Sequence, residues 1–385
     1  MGRQDATLFP EERIVWGADF PALSLFRLGT PTKPLVLFLP GGGHLARIYY
    51  GHPGAQPEDF LLPHLVLTGF SALALSYPSA HPCMNHPVPQ MTISQWAAAC
   101  AAIAAEYIAK ERLARRVIVV GWSLAGRLAR NLSVNFRSQG IDLEIFIGLS
   151  AAPPIPGFGS LAQADLQLAP TGLLDGSSER SSIFRSREAQ LAVTDRINGR
   201  VVLPRHLYAQ WYVTDSPINF RGEAERYGDH GLVSDIGAAI ADQGTFDFGN
   251  YPLCGTVSAA GQSDARFALT GASGFSMLNA QALYFQVIKP ALTRRELNPE
   301  RWAALCQWTD DLGARLSRRV EGSHVFFLGQ IGAAATAKCV RDLVDEAAAI
   351  RRELSALLDD AGITELRSKP ACTPGHHAGE DRCDE

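Results

Sequence analysis

Short apolar runs divided by polar turns set the pattern of the first 150 residues. RIVWG (13–17) and ALSLFRLG (22–29) predict a leading hairpin, and PLVLFLP (34–40), SALALSYP (71–78) and RVIVVG (116–121) predict buried strands. Between the last two lies ISQWAAACAAIAAEYIAKERLARR (93–116), rich in Ala and basic at its end, which predicts the crossover helix of a βαβ unit. LAGRLARNLSVNF (124–136) predicts another helix, and LEIFIGLSAAPPIPG (143–157) a further strand closed by a proline break. Strands joined by helices in this way form a mostly parallel, doubly wound sheet.

The alternation then stops. Residues 155–252 mix Gly, Ser, charge and scattered aromatics with no steady period, as an inserted lid would. The pattern resumes at YPLCGTVSAAG (251–261) and gives a last short strand, RLSRRVEG (315–322). A helix from about Ala333 to Asp360 carries Val340, Leu343, Val344, Ala347, Leu354 and Leu357 at helical spacing. The closing segment RSKPACTPGHHAGEDRCDE has no apolar face and is expected to be disordered. The expected division is a core in two parts, 1–154 and 253–366, with a lid at 155–252 and a tail at 367–385.

With 46% hydrophobic and 19% charged residues, the 385-residue chain has the composition of an ordinary globular protein. A formal net charge of −4 offers no basic field for nucleic acid. No apolar run approaches the roughly 18 residues that span a bilayer, and MGRQDATLFPEER lacks a signal-like apolar stretch, so the cytoplasm is expected and a membrane partner is not. Seven scattered cysteines make no disulfide framework, and Cys100, Cys254, Cys306 and Cys339 read as small apolar fillers. His81, Cys83 and His86 in SAHPCMNHPVP have residue types that bind zinc, but three ligands on a Pro-rich loop fit a rim loop better. No metal or cofactor is expected.

VIVVGWSLAGRLAR (117–130) runs from a β-branched strand through small residues into a helix, with Ser123 at the corner. Gly121-Trp122-Ser123-Leu124-Ala125 resembles the G-x-S-x-G nucleophile elbow of the α/β-hydrolase superfamily, with Ala125 in place of the second glycine. LFLPGGGHLARIYYG (37–51) resembles the glycine-rich loop that supplies an oxyanion-hole N–H in that superfamily. The resemblance implies Gly42 and Leu124 as the two donors, Ser123 as nucleophile and His324, in RVEGSHVFFLG, as base. Asp264 in GQSDARF follows a strand before the last one and is the first choice for the acid; Asp215 is its rival, and Asp310 and Asp311 sit on a predicted helix that would not face the site.

These parts imply a serine hydrolase, esterase or thioesterase in type, that cleaves a carboxylic ester or thioester through an acyl-enzyme. The length of the lid suggests a medium-to-large acyl group on a small-molecule substrate, free or carrier-bound. Phe158, Phe184, Tyr208, Trp211, Tyr212, Phe220 and Phe246 are enough aromatic surface to line an acyl tunnel, while most of them are expected to form a small core of the lid itself. The same residues would serve an acyltransferase or a cyclising thioesterase of secondary metabolism, and a ligand-binding scaffold without catalysis is the alternative outside enzymes. The pattern leaves the acyl chain, the acceptor and the oligomeric state open.

Overall fold

The computed structural model describes residues 8–158, 166–179 and 181–358. Among these residues ten strands run β1 Glu12–Gly17, β2 Phe20–Arg27, β3 Leu35–Leu39, β4 Ser71–Ser76, β5 Arg116–Trp122, β6 Asp142–Leu149, β7 Glu225–Gly228, β8 Gly231–Ser234, β9 Cys254–Ala259 and β10 Ser317–Val320. Eight of them form one sheet in the order β1-β2-β4-β3-β5-β6-β9-β10. β2 runs antiparallel to both of its neighbours, and the pairs from β4 onward are parallel. The predicted leading hairpin and strands are all in place.

The described residues also form ten α-helices: α1 Leu61–Leu67, α2 Ile93–Lys110, α3 Ala129–Ser138, α4 Ser182–Asn198, α5 Arg205–Trp211, α6 Ile236–Gln243, α7 Ala265–Leu283, α8 Lys289–Arg294, α9 Pro299–Arg315 and α10 Gln330–Leu358. Because successive strand side chains point to opposite faces, the sheet divides the core in two. Val36, Phe38, Ile118, Val120 and Trp122 pack with α10 residues such as Val340, Leu343 and Ile350. Leu35, Leu37, Leu39, Val117 and Val119 pack with Trp96, Ile103, Leu132 and Phe136 of α2 and α3. Coverage on both faces is why β3 and β5 read as unbroken apolar runs.

Several boundaries differ from the sequence pattern for identifiable reasons. The run 93–116 stops being helical at Lys110, since Arg112 takes a left-handed φ of 52° and Arg116 opens β5. α2 starts where expected, in a capping box between Thr92 and Gln95. α10 begins three residues before Ala333 because the Asp59 carboxylate accepts from Gln330 N (2.9 Å), a cap supplied from 271 residues away. Its expected end at Asp360 and the tail 367–385 lie outside the described residues. Cys100 and Cys254 are buried as fillers, whereas Cys306 is exposed on α9 and Cys339 half-buried.

Between β6 and β9 the described chain forms α4, α5, the β7–β8 hairpin and α6. Its aromatic rings mostly enter the two cores: Phe184, Tyr208 and Tyr212 join one and Phe220 the other.

Candidate active site

Four neighbouring parallel strands, β5, β6, β9 and β10, end side by side, and one polar residue lies beyond each: Ser123, Ser150, Asp264 and His324. Crevices at the carboxyl ends of strands are where open α/β sheets hold their sites.

Ser123 has φ of 55°, a left-handed conformation that costs a non-glycine residue about 1–3 kcal/mol. The corner needs small neighbours. A Cβ on Gly121 would fall 2.7 Å from Phe146 and 3.2 Å from the Ala125 methyl, so the methyl at 125 fits because position 121 has none. The second close approach comes one residue later than the motif suggests, since a Cβ on Gly126 would lie 2.3 Å from the Ala152 carbonyl.

The glycine loop lies against this corner. A Cβ on Gly41 would meet Ser123 Cβ at 2.8 Å, and one on Gly42 would meet Leu124 Cδ1 at 2.6 Å. The loop is held by groups that the sequence pattern missed. Tyr77 Oη accepts from His44 N (3.0 Å) and donates to the Gly41 carbonyl (3.2 Å). His44 Nδ1 is 3.2 Å from the Gly42 carbonyl and Nε2 is 2.7 Å from Tyr208 Oη, so the neutral ring donates to the loop and accepts from α5. Burial first and the Arg187 charge second push the His44 pKa down to about 3, which keeps it neutral.

His324 Nδ1 donates to Asp264 Oδ1 (2.9 Å), and Asp264 Oδ2 accepts from Ser150 Oγ (2.6 Å). The two loops can meet because Gly261 and Gly322 touch: Gly261 N donates to the Gly322 carbonyl, which a Cβ at 261 would approach to 2.3 Å. Trp122 Nε1 donates to the His324 carbonyl (2.9 Å), and the imidazole lies 4.9 Å from the Phe267 ring. Among the described residues, buried Nε2 has no hydrogen-bond partner. It is thus not bonded to Ser123, although both residues line one cavity; such contacts often tighten only with substrate bound. Burial, then the Arg187 charge, lowers the His324 pKa against the opposing pull of Asp264.

Asp215 is occupied elsewhere, accepting from Gly176 N and Ser177 N at 3.1 Å each, and Asp311 accepts from Gln307 on the exposed face of α9. His81 faces Cys83 Sγ (3.0 Å) and the Gln210 carbonyl (3.0 Å), while His86 packs on Trp16; among the described residues no group of three or more His, Cys, Asp or Glu could hold a metal ion.

The cavity holds about 390 Å³ and is lined by Ser123, Leu124, Gly42, Asp264 and His324, with Leu174, Ile183 and Phe267 as apolar walls and Arg187 and Gln190 among its polar groups. None of the seven aromatics weighed as walls of an acyl tunnel lines it. Four of them fill the cores, Trp211 and Phe158 are half-buried, and Phe246 is exposed. Ring count in the sequence could not distinguish core packing from a tunnel wall.

No family model and no curated protein matches the chain. Among solved structures it is similar to a soluble variant of monoglyceride lipase from Saccharomyces cerevisiae, with 10% identity, 89% of this chain and 97% of that one covered and a TM-score of 0.45. It is also similar to a thermophilic esterase from Thermogutta terrifontis (10%, 87% and 99%, 0.43) and to a thioesterase domain from the curacin biosynthetic pathway (12%, 86% and 99%, 0.38). At these identities only the fold is at issue, and the chain's own topology decides it. With an eight-stranded sheet in which β2 alone is reversed, a strained serine corner after β5 and polar residues at the following strand ends, the chain has the α/β-hydrolase fold.

Proposed function

We propose that this chain is a serine hydrolase acting on carboxylic esters or thioesters. The observation that carries the reading is the His324–Asp264 hydrogen bond, made in the same cavity that the strained Ser123 lines. Ser123 Oγ attacks the substrate carbonyl carbon while His324 Nε2 takes the hydroxyl proton. Asp264 fixes the Nδ1–H tautomer and stabilises the imidazolium that forms. The N–H groups of Gly42 and Leu124 hold the oxyanion, a reading supported by the contact of the glycine loop with Leu124. Nε2 then passes its proton to the departing alkoxide or thiolate. Water attacks the acyl-enzyme, gives a proton to Nε2, and the acid leaves as Ser123 recovers its hydrogen.

A volume of about 390 Å³ falls within the range of small-molecule sites and suits a medium-to-large acyl group. Cytoplasmic residence is the matching setting: the five described cysteines are unpaired, and among the described residues no helix is long and apolar enough to cross a membrane. The test is labelling with a fluorophosphonate and mapping of the adduct. A single adduct on Ser123 that disappears in Ser123→Ala is expected; an adduct elsewhere, or undiminished ester turnover in that variant, overturns the reading.

A further inference from the structure

The cavity carries more positive charge than its own residues balance. Among the described residues three arginines line it, Arg187, Arg221 and Arg266, against one carboxylate, Asp264. That carboxylate is already committed to His324 and Ser150. Arg221 lies 3.5 Å from Glu225, and Arg266, exposed at the rim, donates to the Gly157 carbonyl.

Arg187 stands apart. Its guanidinium lies 5.4 Å from the ring of Trp122, the residue before Ser123, and Nη1 donates to the neutral amide of Gln190 (3.1 Å). Among the described residues its buried Nε has no hydrogen-bond partner, and the one carboxylate that acts on it, Asp264, does so through space while bonded to His324 and Ser150. A guanidinium is a planar fork of donors matched to a carboxylate, and a desolvated charge with no directly bonded counter-charge is costly to keep. α4 could bring an apolar side chain to this wall as readily as it brings Ile183. What an arginine adds there is a site for an anion beside the Ser123 corner.

We propose that Arg187 binds a carboxylate carried by the substrate, so that the preferred substrates are esters or thioesters with a second, anionic end within reach of Ser123. This rests on the serine hydrolase reading above. Leu174, Ile183 and Phe267 would pack against the carbon chain between the two ends.

The experiment compares each acidic substrate with its neutral amide of the same size. Monoethyl glutarate and its half-amide place the carboxylate on the acyl side; O-butyrylglycolate and its amide place it on the alcohol side. Hydrogen bonds between charged groups lead us to expect that the acid of at least one pair has a kcat/KM about 10- to 100-fold above its amide. That preference should disappear in Arg187→Met and survive in part in Arg187→Lys. Equal turnover of acid and amide in both pairs by the wild-type protein overturns the proposal, whether or not the variants fold. A preference undiminished in a folded Arg187→Met does the same. Fluorophosphonate labelling of Ser123 separates the two readings: labelling with no acid preference removes the anion site and leaves the hydrolase, whereas no labelling and no turnover of any substrate removes both.

Discussion

Two serines stand one residue beyond two adjacent strands, and they are put to opposite uses. β5 and β6 pair in register, Trp122 opposite Leu149, and the next residues, Ser123 and Ser150, both have left-handed φ angles of 55° and 37°. The corners are even bonded, with Ala152 N donating to the Ser123 carbonyl. Yet Ser123 lines the cavity, while Ser150 Oγ is turned to Asp264 and also accepts weakly from Ala259 N. The two differ in the residues that come next in the chain. After Ser123 the backbone enters a helical turn with Gly126 against Ala152; after Ser150 comes Ala-Ala-Pro-Pro, whose prolines hold the residues before them in extended conformations and keep a helix from starting there. A strained strand end is therefore a way of aiming a hydroxyl, and the next four residues decide whether it meets solvent-accessible space or another side chain.

Removing each hydroxyl in turn tests this division. Ser123→Ala should lower kcat by on the order of 10⁶-fold, because nucleophile, base and acid act as a unit. Ser123→Gly should be equally inactive and more stable to urea by about 1 kcal/mol, since glycine adopts this φ without strain. A Gly variant less stable than wild type would show that the corner is not strained. Asp264→Asn should cost about 10⁴-fold in kcat by presenting the wrong tautomer, whereas Asp215→Asn, which weakens a brace on residues 176 and 177, should act mainly on stability. The reverse ranking would return Asp215 to the site. Ser150→Ala should lower kcat about tenfold, with KM and Tm nearly unchanged, through loss of one charge-assisted bond to Asp264. A change in KM alone would assign Ser150 to substrate contact instead.

Strands and the serine corner were legible because they are written locally: five or so apolar residues bounded by turns, then small residues around one hydroxyl. The pairing of Asp264 with His324 was accessible through chain order alone, as both follow strands late in the sheet. The supports were not, because each is a contact between distant segments. Nothing near His44 announces Tyr208 in α5, and nothing near Gln330 announces the Asp59 cap. Arg187 sits in a helix whose charged residues look solvated one by one, and only the fold turns this one toward the cavity. The aromatics of 155–252 could be divided between core and tunnel only by the fold, since a ring that fills a core and a ring that lines a tunnel have the same sequence signal.

The smallest expected effect concerns the charge on either side of His324. The Ser150 corner holds the Asp264 carboxylate at Nδ1, which favours the imidazolium; burial and the Arg187 guanidinium disfavour it and prevail, so the His324 pKa lies below the ordinary 6.5. A base must be neutral to accept the Ser123 proton, so the acid limb of kcat/KM for a neutral ester should lie below pH 6.5. Arg187→Met removes one lowering influence and should move that limb up toward 6.5, while Arg187→Lys should leave it nearly in place. Stability should carry the same sign. His44, held near 3, and His324 both bind protons less readily in the folded chain than in the unfolded one. Between pH 6.5 and the folded values the unfolded chain therefore takes up more protons, and the folded state loses stability as pH falls. Melting curves from pH 8 down to 5.5 should show Tm level above 7 and declining below 6.5. A Tm that rises on acidification, or an acid limb above 6.5 in the wild-type protein, would mean that Asp264 outweighs Arg187 and burial at His324.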